Sequence, residues 1–196
     1  MQDKCSFFAF GRVGSRTQTQ STKERGFNLL ELLVVLSIVS ILAALAFPNL
    51  SRLTSSRELS QQAEHLAATI HRARDLAMDQ GYPWRIVFTP GSGSWLCYGD
   101  QDGDAEIGPG ERQLGHFSLV PPVRFGCHAK NGPNNTVIPV DGVSISGNRI
   151  TFSPMGCCNS GSIYIWNDTS SIAIRVLPAS GVIRIWRYGS SWEVLK

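Results

Sequence analysis

The apolar residues fall in three successive patterns. Residues 32–47 form sixteen positions without a charge, Leu-Leu-Val-Val-Leu-Ser-Ile-Val-Ser-Ile-Leu-Ala-Ala-Leu-Ala-Phe. With residues 27–31 the segment reaches 21 residues, or roughly 30 Å of helix at about 1.5 Å per residue, the thickness of a bilayer core. Beyond Pro48 the pattern becomes amphipathic. Leu59, Ala63, Leu66, Ile70, Ala73 and Ala77 recur at steps of three and four, while Arg57, Glu58, Glu64, Arg72, Arg74, Asp75 and Asp79 fall mostly elsewhere. Gly81 and then Pro83 end that pattern. The sequence therefore predicts one long helix, membrane-spanning over 27–47, bent at Pro48, and amphipathic over 48–82, its apolar stripe packed as core.

From residue 83 the helical period disappears. Short β-rich runs at 84–88, 94–98, 116–120, 123–127, 149–152, 162–166, 172–177 and 182–187 alternate with Gly-, Ser-, Asn- and Asp-rich turns. Their connections are too short for helical crossovers, so the pairing is antiparallel. The expected fold class is α+β, a long N-terminal helix packed on an antiparallel β domain over 83–196.

Charge changes the picture at the N-terminus. Of 18 basic and 15 acidic residues, positions 1–26 hold five basic (Lys4, Arg12, Arg16, Lys23, Arg25) and two acidic (Asp3, Glu24), leaving 13 of each in the remainder. That balance removes any general electrostatic case for a nucleic-acid-binding protein and leaves only local patches. Basic residues ahead of the apolar run keep the N-terminus cytoplasmic and send the remainder outward. An ordinary secretory signal cut after Ala44-Leu45-Ala46 is the competing reading; the length of the run, and Pro48 with an amphipathic helix directly behind it, argue against it.

The border between the basic and apolar parts reads Lys23-Glu24-Arg25-Gly26-Phe27-Asn28-Leu29-Leu30-Glu31-Leu32-Leu33. Glycine admits the close approach that a protease groove requires. A carboxylate at the edge of an apolar run is costly, about 2.5–3.5 kcal/mol at mid-membrane, and so marks function unless it merely reaches to the interface. This border resembles the cleavage signal of type IV prepilins, with Asn28 where members more often carry threonine or serine. The resemblance implies a leader over 1–26 removed by prepilin peptidase between Gly26 and Phe27, N-methylation of Phe27, and a Glu31 carboxylate that pairs with the amine of a neighbouring subunit during assembly. The end of the helix, Ala73-Arg74-Asp75-Leu76-Ala77-Met78-Asp79-Gln80-Gly81, and the segments 149–156 and 174–184 are similar to the GspH/FimT group of minor pilins. That likeness implies a noncatalytic structural subunit of a type IV pilus or type II secretion pseudopilus. Its partners would be prepilin peptidase, other pilins through the N-terminal helix, and the inner membrane, with the β domain periplasmic.

Three further clusters carry candidate chemistry. Asp100, Asp102, Asp104 and Glu111 match the first, third, fifth and twelfth positions of a calcium loop, with Glu106 between them. Ala105 stands where such loops place glycine, so the alternatives are a calcium site and an acidic hairpin loop. Cys97, Cys127, Cys157 and Cys158 make an even set in the exported part, whereas Cys5 lies in the leader. Spacing disfavours zinc, and a vicinal disulfide is strained, so Cys97 and Cys127 are expected to pair with Cys157 and Cys158. A redox role for the vicinal pair has no accompanying motif. Arg175, Arg184 and Arg187, interleaved with Trp186, Tyr188 and Trp192, suit either an edge strand with one wet face or contact with DNA. FimT-type pilins that take up DNA carry Gly-Arg-x-Arg here, whereas this chain reads Gly181-Val182-Ile183-Arg184. His65, His71, His116 and His128 show no ligand spacing or nucleophile motif, so neither a catalytic centre nor any cofactor other than calcium is expected.

Overall fold

The computed structural model describes residues 28–195, without the side chains of residues 45–53. The expected cleavage site therefore lies outside the described residues, as does the side chain of Pro48, where the bend is expected. The chain divides into two compact units, 1–43 and 44–196.

Helix α1 runs over Leu29–Gln80. Asn28 starts it as a cap, its Oδ1 accepting the Leu30 amide at 3.3 Å, and Glu31 lies in the first turn, where the helix dipole favours a negative charge. In the first unit the apolar residues from Leu29 to Leu42 are exposed around the whole helix. Ser37 and Ser40 donate to the carbonyls of Leu33 and Leu36 at 2.8 and 2.7 Å, so neither hydroxyl needs water. A helix that exposes apolar side chains all round is of the kind that lipid or other helices surround. Among the described residues no helix is long and apolar enough to cross a membrane; the expected span is described with side chains only over 28–44.

In the second unit all six stripe residues from Leu59 to Ala77 are buried, none more than 2% exposed. Gly81 closes the helix at φ +76°, its amide returning to the Ala77 carbonyl, a left-handed cap that glycine takes without strain. The helix packs against two antiparallel sheets. The first contains β1 (Trp84–Thr89), β2 (Ser94–Gly99), β3 (Gln113–Ser118) and β5 (Arg149–Phe152), in the order β3-β2-β1-β5. The second contains β4 (Arg124–Phe125), β6 (Gly161–Trp166), β7 (Ser171–Val176), β8 (Ile183–Tyr188) and β9 (Trp192–Val194), in the order β4-β6-β7-β8-β9. Their inner rows, including Ile86, Phe88, Trp95, Ile150, Ile163, Ile165, Ile172 and Ile174, join the helix stripe in one core.

Most expected strands are present within a residue or two, and the fold is α+β. Three expectations need correction. The strand expected at 116–120 lies at Gln113–Ser118, because Gln62 on the helix takes the Val120 backbone out of the ladder: its Nε2 donates to the Val120 carbonyl and its Oε1 accepts the Val120 amide, at 2.9 and 2.8 Å. The run at 123–127 gives only the two-residue β4: Gly126 makes one more bond to the Tyr164 carbonyl but turns the chain away at φ +123°. Strand β9 was not expected, being three residues with a glutamate in the middle.

Both outer faces are partly roofed. Residues 100–112 fold over the first sheet and bury Tyr98, and residues 127–142 run over the second, where Cys127 and Ile138 pack on Tyr164, Ala173 and Trp186. The second roof is fixed by backbone. Tyr164 donates to the Gly142 carbonyl at 2.8 Å, and a Cβ on Gly142, whose φ is +78°, would stand 2.3 Å from the Gly126 nitrogen.

Candidate functional site

At the N-terminal end, Glu31 has no ion-pair partner among the described residues, where the ion pairs are Arg85–Asp100 and Arg124–Asp168. Its carboxylate sits in the first turn of an exposed apolar helix, four positions after the expected new N-terminus. Gly26 and Phe27 lie outside the described residues.

The acidic loop brings together Asp100, Asp102 and Asp104, which can each offer one oxygen within 4.8 Å of the others, and leaves Glu106 and Glu111 out of that set. Asp100 is fully buried. Its Oδ2 is paired with the Arg85 guanidinium, and its Oδ1 accepts the amides of Gly103 and Ala105 at 3.0 and 3.4 Å. Glu111 is committed to the amides of Gln101 and Gly108 at 2.8 and 2.9 Å, closing the loop on itself. Asp102 and Asp104 are exposed.

Ala105 takes φ +68° although it carries a Cβ. Left-handed backbone costs a non-glycine residue about 1–2 kcal/mol. Two hydrogen bonds hold it there, the Tyr98 hydroxyl and the Arg149 guanidinium both donating to its carbonyl at 2.9 Å. The turn that calcium loops make with glycine is thus made by alanine under external support. Burial and the nearby carboxylate of Asp100 push the Tyr98 phenol above its ordinary range, against the opposing pull of Arg85 and Arg149, so it remains a donor at neutral pH.

Among the described residues the four cysteines, Cys97, Cys127, Cys157 and Cys158, are free thiols rather than the expected cross-paired set. Cys97 is sealed in the main core on the inner face of β2, and Cys127 packs in the separate cluster on the outer face of the second sheet, so the two cannot share neighbouring partners. Cys157 and Cys158 hang over the β7–β8 turn, their thiols donating to the carbonyls of Ala179 and Leu177 at 3.5 and 3.6 Å. Burial pushes the Cys97 thiol up to about 12. Burial, then the neighbouring Cys157, pushes Cys158 to about 11, so both stay protonated and weakly nucleophilic at neutral pH.

Among the three candidate arginines the structure joins two. Arg175 on β7 and Arg184 on β8 stand directly opposite each other in register. Arg187, one residue out of phase, points to the inner side, where it donates to the Ser60 hydroxyl on α1. Trp186 is buried at 6% exposure, and the Trp192 indole donates to the Asn131 carbonyl at 2.8 Å.

Comparison with known proteins decides the family. The family model described as type II transport protein GspH matches residues 62–180, and the prokaryotic N-terminal methylation motif matches residues 21–47. The chain belongs to the GspH family. The pilin-like protein PilA1 of Thermus thermophilus is 41% identical to this GspH-family chain over 88 residues, 44% of the chain and 55% of that protein. The chain therefore spans about half the length of the curated relative it matches. The minor pseudopilin EpsH of the Vibrio cholerae type 2 secretion system is similar at 8% identity and a TM-score of 0.46, covering 65% of this chain and 95% of that one. Pilins and pseudopilins are structural, noncatalytic subunits, and the methylation motif marks a membrane-anchored protein of pilin type.

Two residues of this GspH-family chain that the sequence reading missed are Arg85 and Arg149. The acidic loop contains no base, so its charges read as unanswered. The counter-charges come from β1 and β5, which only the sheet register brings beside the loop. The one available signal was the phase of the two strands, which sets both arginines on the polar side, opposite Ile86 and Ile150.

Proposed function

We propose that this chain is a minor pilin or pseudopilin, a noncatalytic subunit that prepilin peptidase cleaves between Gly26 and Phe27 and N-methylates at Phe27. On this reading it is anchored in the inner membrane by residues 27–47, with its β domain periplasmic, and joins the filament of a type IV pilus or a type II secretion system through its N-terminal helix. The observation that carries the reading is Glu31, a carboxylate without an ion-pair partner among the described residues, on a helix whose apolar side chains from Leu29 to Leu42 are exposed. An amine from a neighbouring subunit would answer that charge. The testing experiment is replacement of Gly26 by a bulky residue such as leucine, with peptidase present. Full-length precursor should accumulate on immunoblots, whereas N-terminal sequencing of the wild type should begin at Phe27. A mature chain beginning after Ala46 would mean signal-peptidase cleavage instead.

The alternative, a FimT-like DNA-binding minor pilin, has less support, because two arginines rather than three share a face.

We further propose that the loop takes calcium weakly through Asp100, Asp102 and Asp104. The convergence of one oxygen from each supports this, and the Arg85 guanidinium, which already answers the Asp100 charge, keeps the affinity low. At a free concentration ten times its dissociation constant, calcium bound only to the folded state adds about 1.4 kcal/mol. Thermal unfolding of the chain in detergent should therefore shift upward in millimolar calcium relative to chelator. Superimposable curves would remove calcium and leave the loop as a roof on the first sheet.

A further inference from the structure

The register places two like charges opposite each other in the middle of a sheet. Arg175 pairs with Ser162 on one side and with Arg184 on the other, all three on the outer face. Directly opposed like charges destabilise a sheet, and neither arginine has an acidic partner among the described residues. The Ser162 hydroxyl accepts from Arg175 Nε at 3.1 Å, which steadies the side chain without neutralising it. Arg184 is exposed, and so is Val182, two residues before it. Cross-strand neighbours lie about 4.5–5.5 Å apart at Cβ, so the two guanidinium forks can engage one carboxylate or two adjacent ones.

We propose that this arginine pair is a docking point for a carboxylate-bearing segment of a neighbouring subunit. The identity of that partner rests on the filament reading above. Nucleic acid fits the face less well. The aromatic rings that would stack on bases are engaged: Trp186 is buried beneath the roof of the second sheet, and Tyr188 leans on Trp192 at 5.1 Å between ring centres. Arg187 is turned inward to Ser60, so two cations remain where a phosphate backbone needs a track of them. Arginine beside an exposed aliphatic residue, on a rigid sheet, is instead the composition of a protein interface.

The test is fluorescence anisotropy of a labelled hexaglutamate peptide with the full chain in detergent at low salt, beside a labelled oligothymidine strand. The chain should bind the peptide, more weakly as salt rises. Arg184→Gln, an exposed change that leaves the core intact, should reduce affinity by about tenfold, as for the loss of a charge-assisted hydrogen bond. Arg175→Gln should do the same, and Arg184→Lys should recover only part. No peptide binding by the wild type, or binding untouched by both glutamine variants, overturns the proposal. So does tighter binding of oligothymidine lost in the same variants, which would make the face a nucleic-acid surface. The assay requires neither cleavage nor a filament, so its failure is separable from failure of the filament reading.

Discussion

Replacing Arg85 with alanine is expected to destabilise the β domain by about 3–5 kcal/mol, the cost of breaking a buried ion pair from one side. Asp100 is fully buried and Arg85 nearly so, at 14% side-chain exposure, and among the described residues no other guanidinium pairs with that carboxylate. Without it the charge is met only by the amides of Gly103 and Ala105. The Thr151 hydroxyl loses a donor as well, since Arg85 Nη1 bonds it at 3.0 Å. Denaturant unfolding of the chain should show a lower midpoint at unchanged slope. Arg85→Ala with Asp100→Asn should recover part of the loss, because the second change removes the stranded charge. A loss below about 1 kcal/mol would mean that the loop amides alone satisfy Asp100, as hydrogen bonds of ordinary net worth.

Glu31→Ala is expected to leave cleavage intact and to abolish incorporation into filaments. The carboxylate belongs to the fifth residue after the proposed scissile bond, and its neighbours on the helix are exposed aliphatic residues that an assembled filament would surround with lipid or other helices. In so low a dielectric the amine of an adjacent subunit has no substitute partner, and an uncompensated charge costs several kcal/mol per contact. Processed protein should therefore collect in the membrane fraction while sheared filaments lack it. Glu31→Asp, one methylene shorter, should assemble partially. Incorporation of the alanine variant at wild-type level would overturn the role of Glu31.

The helix and the strands were legible because their signals are local. The stripe from Leu59 to Ala77 is a period, and β1, β2 and β5 to β8 are β-rich runs between turn residues. What escaped the sequence depends on partners far along the chain. Gln62 ends β3 by holding Val120 across 58 positions, and Arg85 answers Asp100 only because β2 turns back beside β1. The cysteines mislead for the same reason. An even count says that pairing is possible, but only the sheet faces reveal that Cys97 and Cys127 belong to different clusters. At Ala105 the side chain argued against a left-handed turn, and the support from Tyr98 and Arg149 was invisible. The arginines were found as a basic stretch; that one of the three faces inward follows from strand phase.

The burial of Leu59, Ala63, Leu66, Ile70, Ala73 and Ala77 in a single row also bears on how the β domain withstands mechanical load. Tension drawn along the axis of that helix meets all six contacts at once, as shear, so they must slip together before the helix slides free. Tension across the axis would instead peel them open one at a time, at far lower force. On the filament reading proposed above, a subunit joined to its neighbours by this helix would be strongest in the direction in which the filament is pulled.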